Sequence, residues 1–224
     1  TGVSFFISVN LPDQICKMNL TERIEAFASL GEILRDAIAG KPGKFTSGTE
    51  QLIESQQIKN PWFTPGNVKL AISAIAAELT QDKLNSWCSS YPALNEDTSP
   101  LNTGVVMAGN IPLAGFHDFL CVLISGNRII AKKSSKDTDL IELIADIICS
   151  VNPDFRNMIS LTDSRISDFD MVIATGSDNS SRYFEYYFGK FPHIIRKNRN
   201  SIAVIDGTES DRELTDLGTD VFSY

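Results

Sequence analysis

"GVVMAGNIPLAGFHDFLCVLISGNRIIAKK", residues 104–133, decides the fold. Its first part, "GVVMAG", is a short apolar run of strand character that stops on small residues. Asn110, Ile111 and Pro112 follow, and the apolar spacing from Pro112 to Ser125 predicts a helix. "RIIAKK", residues 128–133, reads as a second strand. A strand, a helix and a strand in immediate succession form a crossover unit, which joins parallel strands.

Outward from this unit the same rhythm continues. Thr138 to Ser150 reads as helix, "MISLT" (158–162) and "DMVIAT" (170–175) as strands, and Asn179 to Phe188 as helix. "HIIR" (193–196) and "SIAVID" (201–206) read as strands, and a last helix starts near Ser210. This alternation predicts an α/β protein with a doubly wound, mostly parallel, Rossmann-like sheet.

Residues 1–100 read differently. Ile24, Phe27, Ala28, Ile33, Leu34, Ala37 and Ile38 recur at helical spacing, and Gly40 with Pro42 closes that segment. Thr64 is a candidate N-cap with Pro65 at the first helical position. "SSYPALNEDTSP", residues 89–100, has the composition of a boundary loop. The expected organisation is a helical segment, 1–100, packed on an α/β unit, 101–224. Leu214, Leu217, Val221 and Phe222 keep helical spacing up to Tyr224, so the expectation is the front portion of a longer protein.

Composition excludes several classes. Of 224 residues, 42% are hydrophobic and 21% charged, which describes an ordinary globular chain. A net charge of −8 argues against nucleic acid and anionic membrane surfaces, because phosphate binding needs a basic face. No apolar run approaches the ~18 residues of a membrane span. "VSFFISV", residues 3–9, is too short and lacks basic residues before it for a signal peptide. Cys16, Cys88, Cys121 and Cys149 form no paired motif, and reduced thiols in a cytoplasmic protein are the simplest expectation. Neither His117 nor His193 has the spacing of a metal site, and no metal is expected.

Three segments fall where a predicted strand hands over to a helix: "AGNIP" (108–112), "AKKSSKD" (131–137) and "ATGSDNS" (174–180). In open parallel sheets, ligands bind beyond the carboxyl ends of the strands, where helix N-termini point free amides. Thr175, Gly176 and Ser177 suit a pyrophosphate, with Asn179 or Ser180 as a plain helix cap the simpler alternative. Lys132, Lys133, Ser134 and Ser135 suit a ribose or its phosphate, with two solvated lysines at a sheet rim the alternative. No Gly-x-Gly-x-x-Gly occurs, so the standard dinucleotide fingerprint is absent.

"GNIPLAGFHDFLCVLISGNRIIAKKSS" (109–135) and "FDMVIATGSDNSSRYFEYYFGKFPHIIRKNRNSIAVIDG" (169–207) resemble the acyl-CoA reductases of the LuxC type, within the aldehyde dehydrogenase superfamily. The resemblance covers about residues 100 to 224; the first hundred fit loosely. It implies an NAD(P)-binding domain over 101–224, truncated before the catalytic cysteine domain. It implies that the amide of Asn110 donates to the oxyanion of the intermediate, which is worth roughly 3–4 kcal/mol of barrier. Lys132, with Ser134 beside it, corresponds to the lysine that contacts the adenosine ribose. Thr175, Gly176 and Ser177 correspond to the turn at the pyrophosphate.

Two departures refine this. Many NAD-preferring relatives have a glutamate on the ribose hydroxyls where this chain has Ser135. A carboxylate there would repel a 2′-phosphate, so its absence permits NADPH, with NADH as the alternative. Hydrolytic relatives carry a glutamate base, whereas no carboxylate occurs from Lys190 to Ile205. A thioester would then exchange with a thiol such as coenzyme A rather than with water.

The nucleophilic cysteine implied by the resemblance falls downstream of Tyr224. Cys121 and Cys149 lie in apolar helical stretches where thiols are inert, and Cys16 and Cys88 lack an activating neighbour. Residues 1–224 alone are therefore expected to be inactive. His117 is a candidate for lining the site, and "RKNR" (196–199) for meeting a phosphate; packing and a solvated loop are the simpler alternatives. The expected whole enzyme reduces an acyl-CoA to an aldehyde, and a homo-oligomer is allowed. Reduction of an acyl phosphate and a non-catalytic nucleotide-binding module remain open alternatives.

Overall fold

Four helices open the chain: α1 (Leu20–Ile38), α2 (Thr46–Lys59), α3 (Pro65–Glu78) and α4 (Gln81–Ser89). Each start has a local cause. Asn19 caps α1 by accepting from the Glu22 amide, and Glu22 returns a bond to the Asn19 amide, a reciprocal capping box. Thr64 caps α3 with Pro65 in its first turn, as the sequence predicts. Ile24, Phe27, Leu30 and Leu34 recur on one face of α1 and are buried. Gly40, at φ 66°, turns the chain out of the helix in the left-handed conformation that glycine favours. These features are drawn from a computed structural model, which describes residues 18–96, 98–197 and 201–222.

The α/β part carries strands β1 (Asn102–Val106), β2 (Arg128–Lys132), β3 (Ile159–Thr162), β4 (Met171–Thr175) and β5 (His193–Arg196). Helices α5 (Phe116–Ile124), α6 (Asp139–Val151), α7 (Asp178–Phe188) and α8 (Asp211–Phe222) alternate with them or follow. The five strands form one sheet in the order β3-β2-β1-β4-β5, and every pairing is parallel. Val106 sits beside Lys132 on one side and Ala174 on the other, so the ends of three strands come level. The strand order reverses between β1 and β4, which is where such sheets open a ligand crevice.

Both faces of the sheet are covered. Val105 is fully buried in the main apolar cluster, which runs without a break from Phe27 and Leu30 through Phe119 and Leu123 to Ile144 and Ile148. Phe27 of α1 meets Phe155 edge to face at 5.8 Å. Gly104 points to the other face, because neighbouring strand residues alternate. A Cβ there would stand 2.8 Å from Ile166 and 3.1 Å from the ring of Phe169. Phe169 in turn packs on Phe188 of α7 (5.8 Å) and on Phe191 (4.9 Å). Arg23 joins the helical part to the α/β part: it is buried and donates from Nε to the carbonyl of Ile124 at the end of α5 (3.0 Å).

Two sequence expectations differ from the structure. Residues 201–206, "SIAVID", form no strand; Ile202 and Val204 are 89% and 87% exposed. An alternating apolar run becomes a strand only where a neighbour accepts its hydrogen bonds, and none lies beside it among the described residues. The helix expected from Pro112 starts instead at Phe116, after two tight turns. Leu113 takes φ 59° and interrupts the helical path. Cys16 and residues 3–9 lie outside the described residues, as do Asn198 and Arg199. Among the described residues no helix is long and apolar enough to cross a membrane.

Candidate active site

The loops after β1, β2 and β4 leave the same edge of the sheet. The β1 exit begins with the Met107 amide donating to the Lys132 carbonyl (3.1 Å). Gly109 follows, buried, where a Cβ would stand 2.2 Å from the Ser134 hydroxyl oxygen. Only a glycine lets the β1 and β2 exits touch this closely. Asn110 and Ile111 are exposed, and Pro112 and Leu113 are buried. Asn110 is thus presented on a tight loop whose two flanks are anchored.

The second flank is held by an acid. The Leu113 amide donates to Oδ2 of Asp137 at 2.6 Å. A left-handed leucine costs roughly 1–2 kcal/mol, which this bond offsets. Asp137 is 5% exposed, and its Oδ1 has no hydrogen-bond partner among the described residues. Burial pushes its carboxyl up to about 6; the repulsion of Asp139 adds to this, and the Leu113 amide opposes it. Sequence reading passed over Asp137, and its one visible signal is a carboxylate just before the next helix.

The β2 exit separates its two lysines. Lys133 is buried and bound to Glu142 and, at 3.4 Å, to Asp163. Burial would lower its pKa, but these two carboxylates raise it above the usual lysine value. Lys132, half-buried at the end of β2, has no ion pair among the described residues, so its charge is unspent. Ser134 closes a tight turn by accepting, on its carbonyl, the amide of Asp137 (3.1 Å). Ser135 is exposed beside it.

At the β4 exit, Thr175 is half-buried and its Oγ1 has no hydrogen-bond partner among the described residues. The Gly176 amide donates to the Arg196 carbonyl (3.2 Å). A Cβ on Gly176 would meet Ser180 at 2.8 Å and Phe184 at 2.9 Å, so glycine lets α7 begin close to the strand. Ser177, rather than Asn179 or Ser180, caps α7 by accepting the Ser180 amide (3.3 Å). Its hydroxyl is therefore already engaged. Arg196 is engaged too: at the end of β5 rather than in a loop, it pairs through one guanidinium nitrogen with buried Asp118 of α5.

The residues that follow Asn110 in the chain, Ile111 to Leu113, line an apolar cavity of about 530 Å³. Ala71, Ile75 and Leu79 of the α3 segment and Trp87 of α4 form one wall; Ile111 to Leu113 and His117 form the other. The helical segment thus builds half of a cavity whose other half begins at Ile111, the residue after Asn110. His117 lines it, with Nε2 3.5 Å from Sγ of Cys121.

No described cysteine is an activated nucleophile. Burial raises the thiols of Cys88, Cys121 and Cys149 above the usual range. At Cys121, half-buried rather than in the core, Asp118 adds to the rise and Arg196 only partly opposes it. Among the described residues no group of histidine, cysteine and acidic side chains is gathered to hold a metal.

Known proteins resemble this chain in two ways. Aldehyde dehydrogenase 21 from Physcomitrella patens, solved with the reaction product succinate, superposes with a TM-score of 0.65 at 15% identity, over 92% of this chain and 46% of its own. An NAD-dependent benzaldehyde dehydrogenase from Corynebacterium glutamicum gives 0.57 at 14%, over 80% of this chain and 42% of its own. The chain thus spans less than half the length of each, and at these identities the likeness carries the fold. No curated protein matches the chain. The family model of the acyl-CoA reductase (LuxC) matches residues 74–224, well over half of the chain. The protein belongs to the acyl-CoA reductase (LuxC) family.

Proposed function

We propose that residues 101–224 form the nucleotide-binding domain of an NADPH-dependent reductase that converts a fatty acyl-CoA to an aldehyde. The nucleophilic cysteine is supplied from outside residues 1–224, and these residues alone are inactive. The observation that carries this reading is that Asn110 stands exposed at the β1 exit, next in the chain to Ile111, Pro112 and Leu113, which line an apolar cavity of about 530 Å³.

The residues present suit a nicotinamide dinucleotide. Lys132 has charge to spare for the ribose, and Thr175 has a hydroxyl without a partner among the described residues beside the Gly176 turn. Ser135 puts no carboxylate against a 2′-phosphate, which supports NADPH over NADH. When bound, the cofactor supplies a hydride to the acyl carbon. Asn110 donates its amide to the acyl oxygen as negative charge develops there. The apolar walls take the acyl chain, each buried methylene contributing about 0.8 kcal/mol. With no carboxylate between Lys190 and Ile205, water is not activated, and coenzyme A is the competent acyl partner.

The test is NADPH oxidation by a chain extended past Tyr224, with and without a long-chain acyl-CoA, using residues 1–224 as control. Thioester-dependent oxidation that is lost in the control and falls 100- to 1,000-fold in Asn110→Ala supports the proposal. Nucleotide binding without oxidation of NADPH by any acyl-CoA overturns it.

A further inference from the structure

Two loops that the proposed reaction uses for different purposes meet at one buried carboxylate. Asp137 belongs to the β2 exit, the ribose side, yet its Oδ2 receives the amide of Leu113 in the β1 exit (2.6 Å). Leu113 stands three residues after Asn110 and holds φ 59°, a conformation a leucine does not adopt unaided. On the other side of Asn110, Gly109 rests against Ser134, whose carbonyl receives the Asp137 amide (3.1 Å). The loop bearing Asn110 is therefore gripped at both ends by the Ser134–Asp137 turn.

We infer that Asp137 is a positioning residue for the Asn110 amide, its ionised carboxylate setting the β1 exit in the conformation that presents Asn110 to the acyl oxygen. This rests on the proposed role of Asn110. A carboxylate is the acceptor suited to the task, because a charge-assisted bond from a backbone amide is about twice as strong as a neutral one. It also makes the grip responsive to pH. Burial and Asp139 push the Asp137 carboxyl up to about 6, so it is ionised at neutral pH, and protonation in mild acid weakens the bond.

The charged groups around it do not offset this. Asp139 is tied to Lys59 of α2 and to Thr138. Lys133 is tied to Glu142 and Asp163, and Lys136 is exposed. From the β1 side, residues 107–115 bring no charged side chain; His117 follows one turn into α5.

Two measurements decide it. In ¹⁵N-labelled chain, the Leu113 amide resonance is followed from about pH 4.5 to 8, and it should shift with a midpoint near 6 that vanishes in Asp137→Asn. In the extended enzyme, Asp137→Asn should lower kcat about 10- to 100-fold with KM for acyl-CoA nearly unchanged. The parent kcat should fall about tenfold per pH unit below its midpoint, and the variant should lose that limb. A Leu113 amide that does not titrate, or a variant in which kcat and KM change together, overturns the inference. Because the resonance needs no substrate, the two readings fail separately. A flat titration beside thioester-dependent oxidation sinks the role of Asp137 alone. An intact titration without any such oxidation sinks the proposed reaction, and with it the catalytic purpose of the grip.

Discussion

The hydroxyl oxygen of Ser134 lies 2.2 Å from where a Cβ on Gly109 would stand. The β1 and β2 exits are therefore in contact through the backbone of one and the side chain of the other. Replacing Gly109 with alanine must push Ser134 aside or open the β1 turn. The expected cost is about 1–3 kcal/mol, as for other overpacked sites. Urea unfolding of Gly109→Ala measures it, and Ser134→Gly in the same chain should restore most of the loss. A single variant as stable as the parent would show that the loops separate freely.

Asp118 and Arg196 give an asymmetric prediction. The side chain of Asp118 is 5% exposed and that of Arg196 is 32% exposed. Arg196→Ala leaves a buried carboxylate without its partner and should cost about 3–5 kcal/mol. Asp118→Asn leaves a cation that already reaches solvent, so the loss should be clearly smaller. Equal losses in denaturant unfolding would contradict the burial difference.

Asp137 predicts the direction of a pH effect on stability. Its folded value, about 6, lies above the ordinary 3.8, so burial penalises the ionised form. The stability this group contributes is present below about pH 3.8 and lost as pH rises through about 6, a total of ~3 kcal/mol. Subtracting the unfolding free energies of Asp137→Asn, measured at each pH, isolates this term from other carboxylates. A difference that stays constant between these values would refute it. The chain thus retains at neutral pH a charge that weakens its fold, as expected where a group serves a site.

The two lysines of the β2 exit should separate by assay. Lys133→Ala empties the space of a buried side chain and removes its bonds to Glu142 and Asp163, and is expected to lower stability, while Lys132→Ala should weaken nucleotide binding with little change in unfolding. Ser135→Glu should weaken NADPH more than NADH, because a carboxylate repels the 2′-phosphate. Equal weakening of both nucleotides, measured by fluorescence titration, would remove the case for NADPH.

Much of the frame was legible because periodicity reports burial. The apolar runs at 128–132 and 171–175 became strands, and Thr64 with Pro65 began a helix, since those signals are local. What escaped depends on distant partners. The helix start moved from Pro112 to Phe116 because Leu113 is held by Asp137, twenty-four positions away. "SIAVID" has strand composition, but a strand also needs a neighbour. The loops bearing Asn110, Lys132 and Thr175 were placed by their motifs. Their grip, and the wall supplied by Ile75 and Trp87, could be seen only once the chain was folded.

The division of the cavity walls has an evolutionary consequence. One wall belongs to α3 and α4, which precede the sheet in the chain and contribute none of the candidate nucleotide-binding residues. Substitutions at Ala71, Ala74 or Ile75 alter the room for an apolar chain without touching Lys132 or Thr175. Under the proposed function, descendants of such a protein can drift in the length of acyl group they accept while their coenzyme preference stays inherited intact, two traits written in separate stretches of one gene.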